Sequence, residues 1–282
     1  MARILTIANL NCDHILRLSR PLTTGARIHY EDLGKRIGGG AANTGTALAW
    51  AGHQVALLSQ VGSDDLGDWL LQQAEKLGLD CQQVHRHPGP TQALQLLMEP
   101  DGERTILRPN RPRLLLPASL SHQPMDALYV NLTAEGLPQL MQSVLPQATV
   151  IAQLPKDLSR RPCHYLITSV DDLGQHHIDD PWLFGQQIAG SSLQAFIVTQ
   201  GESGAIAYTQ DRSFSVAAVA TEVIDTTGAG DAYAAGLIDG LLQQQDLQHA
   251  MEQGARWASF ALQSASSIPS EKLRSFLKHT QG

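Results

Sequence analysis

The sequence predicts an α/β protein built on a mainly parallel sheet. Beyond Pro112, short apolar runs alternate regularly with helical patterns, at 127–132, 136–145, 149–152, 164–168 and 195–199, the order expected of successive βα units. Residues 3–8 form an aliphatic run without polar alternation, as in a strand covered on both faces. The 282 residues are 43% apolar and 17% charged, enough to build a sizeable core and incompatible with intrinsic disorder. Length alone suggests roughly two domains and equally allows one large α/β domain.

Residues 3–8 open the sheet. From about 15 to 37 the pattern breaks into short alternating pieces, Ile15-Leu16-Arg17-Leu18 and Arg27-Ile28-His29-Tyr30, separated by Pro21 and Gly25. This reads as a hairpin with a half-exposed face that something must cover. Gly38-Gly39-Gly40 then feeds an alanine-rich helix, 41–51, that stops at Gly52. A strand at 55–61 and an amphipathic helix at 66–77 ending at Gly78 come next. A second hairpin, 92–107, turns at Pro100-Asp101-Gly102. After the regular alternation, a hairpin at 204–216 precedes Asp225-Thr226-Thr227-Gly228-Ala229-Gly230-Asp231, which leads into a helix at 232–243. Small residues at the start of that helix let its backbone approach a neighbour closely. Helices at 247–264 and 270–278 close the chain, and no internal repeat is present.

Net charge and cysteines narrow the function. The formal charge is -7 with no basic block, which argues against electrostatic binding to nucleic acid or an anionic membrane and leaves small-molecule chemistry as the default. Cys12, Cys81 and Cys163 are widely spaced, fitting neither a disulfide framework nor a zinc site, so a reducing, cytoplasmic setting is expected. The N-terminal apolar stretch is interrupted by Asn9 and Asn11 too early for a signal peptide. No apolar run reaches the ~18 residues of a membrane span.

The segment 225–231 carries the strongest chemical signal. Glycines and alanine at a helix start expose backbone N–H groups in one direction, and the helix dipole adds positive potential there. A carboxylate among those donors, Asp231, has no use in plain anion storage, but it suits deprotonation of a hydroxyl beside a phosphoryl group. The string resembles the C-terminal signature of the ribokinase or PfkB family of carbohydrate kinases. A second block, Gly38-Gly39-Gly40-Ala41-Ala42-Asn43 through Gly52 and on to Val61-Gly62-Ser63-Asp64-Asp65-Leu66-Gly67, resembles the N-terminal signature of the same family. Asn11-x-Asp13 and Val198-Thr199-x-Gly201-x-x-Gly204 extend the likeness over almost the whole chain.

The resemblance implies transfer of the ATP γ-phosphoryl group to a sugar or nucleoside hydroxyl on a single Rossmann-like, three-layer α/β/α domain over 1–282. It also implies a small β-sheet lid, for which the hairpins near 14–37 and 91–109 are the candidates. By position, Asp231 would be the base, and the amides of Gly228, Ala229 and Gly230 would stabilise the transferring group. Asp13, Gly38, Gly39 and Asn43 would hold substrate hydroxyls. Thr199, Gly201 and Gly204 would lie near the nucleotide, with Ser259 in a segment, 259–267, beside the adenine. Asn43 falls four residues past Gly39, on the same side of the first helical turn. Short polar groups and glycines suit a sugar ring lying against backbone.

Some positions depart from the pattern. Where the family has Asn-x-x-Glu to organise Mg²⁺ and its waters, this chain has Thr168-Ser169-Val170-Asp171-Asp172. Asp172 would stand in for the Glu, one methylene shorter, and hold the metal through water. Asp225 and Thr227 resemble the pair that binds an activating monovalent cation, K⁺, in some members. Ala8 replaces a frequent Gly. His176, His177, Asp179 and Asp180 read as a solvated loop and not a metal cluster. Arg104 and Arg108 in the second hairpin read as exposed edge charges, the alternative being contact with a substrate phosphate. Gly38-x-Gly40-x-x-Asn43 lacks the third glycine of a dinucleotide fingerprint, and the Walker A pattern is absent. A nucleoside kinase and a non-catalytic sugar or nucleotide sensor remain the competing readings. The unmatched apolar face of the hairpins predicts a homodimer through the lid.

Overall fold

The structure is a computed structural model and describes residues 1–120, 124–174, 176, 178–266 and 268–280. The first half contains β1 (Arg3–Ala8), β2 (Asn11–Leu18), β3 (Tyr30–Gly38), α1 (Gly39–Trp50), β4 (Gln54–Leu58), β5 (Gln60–Gly62), α2 (Asp65–Lys76), β6 (Leu79–Asp80), β7 (His85–His87), β8 (Leu94–Met98) and β9 (Arg104–Leu107). Then follow β10 (Ala127–Asn131), α3 (Leu137–Val144), β11 (Thr149–Gln153), β12 (Tyr165–Ser169), α4 (Val170–Leu173), α5 (Pro181–Ala189) and β13 (Ala195–Thr199). The chain closes with β14 (Ala205–Tyr208), β15 (Ser213–Val216), α6 (Ala229–Leu242), α7 (Leu247–Leu262) and α8 (Glu271–Thr280).

The central sheet runs β15-β14-β13-β12-β11-β10-β1-β4-β6 and is parallel from β13 to β6. β14 and β15 add an antiparallel edge. Strand β1 shows why the runs read as continuously apolar. Ile4 and Ala8 pack into a layer with α1, α6, α7 and α8, while Leu5 and Ile7 pack into the opposite layer with α3 and α5. Both faces are covered, giving the three-layer α/β/α architecture the sequence predicts. The chain leaves β1 toward β4 on one side and returns through β10 on the other. Strand order therefore reverses between β1 and β10, and the crevice beyond their C-terminal ends is where open α/β sheets place ligands.

The two early hairpins join into one four-stranded sheet, β3-β2-β8-β9, through a parallel pairing of β2 with β8. Several boundaries differ from the sequence reading. The first hairpin's return strand is β3 and not 27–30. It runs directly through Gly38 into α1, because the register Asn11↔Gly38 keeps the ladder going up to the helix. The expected strand at 55–61 breaks at Ser59, whose hydroxyl accepts the Leu10 amide at 3.1 Å. Helix α6 begins at Ala229, which places Asp231 in its first turn. Helix α5 is an addition: Asp180 accepts the Leu183 amide at 3.0 Å and Pro181 opens the helix, so the acidic pair read as loop contains an N-cap. His177 lies outside the described residues.

The small residues of α6 meet α7. A Cβ on Gly236 would stand 2.8 Å from the Gln253 carbonyl oxygen and 2.9 Å from Gly254 Cα, both backbone atoms that cannot turn aside. Gly236→Val is therefore expected to force α6 and α7 apart at a cost of about 1–3 kcal/mol. A thermal melt reads this as a lower Tm; a Tm equal to the parent's would show that the interface can relax.

Candidate active site

The site is built around Asp231. Its helix starts at Gly228, an N-cap in the left-handed region (φ 81°), and no side chain caps the exposed N–H groups. The carboxylate receives Asn43 Nδ2 of α1 at 2.8 Å on Oδ2 and Asn131 Nδ2, from the end of β10, at 3.3 Å on Oδ1. Thr44 Oγ1 donates to the Asp231 carbonyl at 3.2 Å. Burial raises the Asp231 pKa, and the hydrogen bonds from Asn43, Thr44 and Asn131 do not cancel it. Behind this group, fully buried Tyr129 accepts Gln153 Nε2 at 3.2 Å. Burial pushes its hydroxyl pKa up, and the Asp231 charge adds to that rise.

The glycine triplet connects this carboxylate to a second one. A side chain at Gly38 would press into the Asp13 carboxylate, and a Cβ at Gly40 would lie 2.7 Å from Asn131 Nδ2 and 3.5 Å from Asp231 Oδ1. Gly39 between them has φ 84° and abuts the Asn9 carbonyl. Asp13 is 8% exposed at its side chain, and its Oδ2 is 4.0 Å from Arg36 Nε. Burial raises its pKa; Arg36, Arg111 and Arg108 oppose that without cancelling it. Asp13 Oδ1 and Asn43 Oδ1 are buried acceptors with no hydrogen-bond partner. Such atoms are costly unless something polar arrives, and hydroxyl donors answer that need.

Asp13, Gly38, Gly39, Asn43 and Asp231 thus converge at the β1/β10 crevice, with Gly228, Ala229 and Gly230 at the adjoining helix end. Gly230 faces open space. Thr199 ends β13 and donates to the Thr168 carbonyl at 3.2 Å, with Gly201 in the short turn that follows. Gly204 is packed against the backbone of Val216 to Ala218, so its position serves the β14–β15 hairpin. Ser259 is buried and its hydroxyl is engaged by the Arg256 carbonyl at 2.7 Å within α7; Ser267 lies outside the described residues. Asp172 is exposed in α4, its amide capped by Ser169 Oγ at 3.0 Å.

Asp225 accepts the Thr227 amide at 2.8 Å, the Thr227 hydroxyl at 2.6 Å and Arg104 Nη1 at 3.0 Å, all on Oδ1. Partial burial works against the Asp225 charge, but the Thr227 bonds with Arg104 and Arg36 outweigh it and hold the pKa low. Arg104, read from sequence as an edge charge, is therefore an ion-pair partner that ties the small sheet to the segment preceding α6.

Sequence reasoning missed Asn131, Arg36 and Arg111. Asn131 carries the one signal that was available, a polar residue closing an otherwise apolar strand; its importance depends on β10 lying next to β1. Arg36 is placed by the β2–β3 register opposite Asp13. Arg111 donates to Asn11 Oδ1 at 2.6 Å and to the Gln92 carbonyl at 3.3 Å.

A mainly parallel three-layer domain with a carboxylate at an open helix end defines a small-molecule phosphotransferase, and comparison with known proteins agrees. The model of the family described as pfkB family carbohydrate kinase matches residues 1–153 and 161–273. The chain belongs to that family and is a kinase with an alcohol-group acceptor, of carbohydrate or nucleoside type. It is 24% identical over 236 residues to the fructosamine kinase of Bacillus subtilis, covering 79% of this chain and 82% of that one. It is 27% identical over 264 residues to the ATP-dependent ribose-1-phosphate kinase of Halopiger xanaduensis, covering 89% of each. In fold it is similar to the Arabidopsis thaliana ribokinase complexed with ribose and ATP, with a TM-score of 0.79, 16% identity and 98% coverage of both chains.

Gly40→Ala tests the geometry. The added methyl displaces Asn131 from Asp231, and misplacement by about 1 Å is expected to lower turnover roughly 10²-fold with the circular dichroism spectrum unchanged. Parental turnover would show that the Asn131 contact is dispensable.

Proposed function

We propose that the protein transfers the γ-phosphoryl group of ATP to a sugar hydroxyl by direct in-line displacement, with Asp231 as general base. The observation that carries this reading is a desolvated carboxylate of raised pKa in the uncapped first turn of α6, oriented by Asn43 and Asn131. In this scheme the acceptor hydroxyl gives its proton to Asp231 as its oxygen bonds to the γ-phosphorus. The bond from phosphorus to the β–γ bridging oxygen breaks, and ADP leaves with the electron pair. The amides of Gly228, Ala229 and Gly230 receive the charge on the transferring group. Asp13 and Asn43, through their unpartnered Oδ1 atoms, take the hydroxyls of the sugar.

ATP is assigned to the side of the crevice bordered by Thr199 and Gly201. The exposed aliphatics Val219, Val223 and Ile224 offer an apolar face for a base there, and the Ile224 amide donates to the Leu262 carbonyl at 2.8 Å, tying that segment to the end of α7. Mg²⁺ would enter with the triphosphate, keep several waters and be steered by Asp172, the exposed carboxylate on this rim. When bound it neutralises charge on the phosphates. A monovalent cation such as K⁺ would use Thr227 and Asp225 Oδ2, the oxygen that neither Thr227 nor Arg104 engages. The four-stranded sheet acts as the lid. Its exposed Leu33, Ile106 and Leu107 support pairing with a second copy of the chain. Among the described residues no helix is long and apolar enough to cross a membrane.

Coupled ADP release with ATP and Mg²⁺ across sugars, sugar phosphates, sugar acids and nucleosides tests the reading, alongside Asp231→Asn. The variant is expected to lose ~10²–10⁴-fold in kcat while still binding substrate in calorimetry. Near-parental kcat would remove Asp231 from the mechanism, and binding without turnover by the parent would favour a sensor.

The pH dependence has a definite sign. The base must be ionised, and its pKa lies above that of an ordinary aspartate. The acid limb of kcat/KM should therefore fall at higher pH than a solvent-exposed Asp would give, and Asn131→Ala, which removes a donor to the charged form, should move it higher still. An acid limb at the ordinary carboxylate position, unmoved by Asn131→Ala, would contradict this. For the dimer, light scattering at micromolar concentration should return twice the 30.5 kDa chain mass; a monomer mass overturns it.

A further inference from the structure

Asp13 sits in a crosswise row of the small sheet that is unusually rich in arginine. The β2–β3 register puts Arg36 directly opposite Asp13, and the β2–β8 register puts Leu94 on the other side. Strand β9 pairs Leu107 with Gln95, so Arg108, one residue further, comes into line with Leu94. Directly opposed residues project to the same face of a sheet. Arg111 reaches the same place from the following segment and bonds Asn11, two residues before Asp13.

These three guanidinium groups are poorly compensated. Arg36 spends one nitrogen on the Ala265 carbonyl at 2.9 Å, yet its Nε is buried without a partner and its distance to Asp13 is 4.0 Å, beyond a hydrogen bond. Among the described residues Arg111 hydrogen-bonds only neutral oxygens, Asn11 Oδ1 and the Gln92 carbonyl. Arg108 is exposed and makes no ion pair among the described residues. Burial and then the like charge of Arg108 lower the Arg111 pKa, so the two cations already repel each other. All three act on the Asp13 charge and only Arg36 on Asp225 as well, in a chain whose formal charge is -7. A neutral sugar would satisfy Asp13 and leave the excess positive charge in place. An anionic substituent would relieve it, and guanidinium forks match phosphate and carboxylate oxygens in pairs.

We propose that the acceptor is an anionic sugar, carrying a phosphate or carboxylate group that Arg108 and Arg111 bind, with Arg36 at the inner edge, while Asp13 holds a hydroxyl. This rests on the kinase reading of the site and names its substrate class. Arg104 is not part of it, because its guanidinium is committed to Asp225.

The experiment compares ribose, fructose, ribose 5-phosphate, fructose 1-phosphate, fructose 6-phosphate, gluconate and 2-keto-3-deoxygluconate in two measurements. One is ATP-dependent ADP release; the other is calorimetric binding without ATP, at 50 and 300 mM NaCl. At least one anionic sugar is expected to exceed its neutral counterpart by ~10²-fold or more in kcat/KM, with binding that weakens at high salt. The phosphate and carboxylate arms then identify the anion. Arg108→Ala should cut the anionic-to-neutral ratio at least tenfold, and Arg108→Glu should cut it further. Arg108 is exposed, so both variants should keep the parental Tm. A neutral sugar preferred in turnover and binding, or a ratio indifferent to both substitutions, overturns the anionic assignment and leaves the kinase reading standing. Neither turnover nor binding for any member of the panel overturns both.

Discussion

The hydrogen bond from Asn43 to Asp231 joins residues 188 positions apart and fixes α1 against the first turn of α6 at the β1/β10 crevice. Everything nearby follows from placing a charged carboxylate where water is scarce. Desolvation opposes the charge, and charge-assisted hydrogen bonds, worth about 1.5–3 kcal/mol each, counter it only in part, so the pKa stays raised. Each further donor would lower that pKa and each donor lost would raise it. The Asn43 and Asn131 amides are donors that moderate the rise, and the glycines of the triplet are small because a Cβ at Gly40 would break the arrangement.

The same triplet explains why the small sheet and the central sheet share one site. Strand β3 passes into α1 without a loop, so the backbone that carries Arg36 opposite Asp13 is continuous with the backbone that carries Asn43 to Asp231. Two further ties cross between the layers, Arg104 to Asp225 and Arg36 to the Ala265 carbonyl. Both reach the segment that leads to, or lies beside, the open helix end. The small sheet is thereby tied to the segments that flank the turn presenting Gly228 to Gly230.

Much of this was legible in the residues because glycine, proline and apolar runs punctuate local structure. Strand β1 was read with its observed ends, and Gly52 and Gly78 marked helix stops, since a left-handed residue is needed there and glycine takes it. The convergence of Asp13, Asn43 and Asp231 was legible only through the likeness of two separated motifs to one family. What was not legible depends on register and strand order. Asn131 is an ordinary strand end until β10 is known to lie beside β1. Arg36 is one more surface cation until the β2–β3 ladder puts it across from Asp13. Helix α5 is masked in the sequence because its N-cap, Asp180, closes a His/Asp run that reads as solvated loop, and only Pro181 after it signals a helix start.

Charge is placed in this site by context as much as by residue type. Asp225 and Asp231 lie six positions apart in one motif, yet the Asp225 pKa is lowered, despite partial burial, by Thr227 and Arg104, while burial raises that of Asp231. Arg104 opens β9 and Arg108 follows its last residue, yet one is spent on a carboxylate and the other is left with a neighbouring cation. In each pair the first group is closed in an ion pair within the protein, Asp225 with Arg104, and the second answers to its surroundings, burial for Asp231 and a like charge for Arg108.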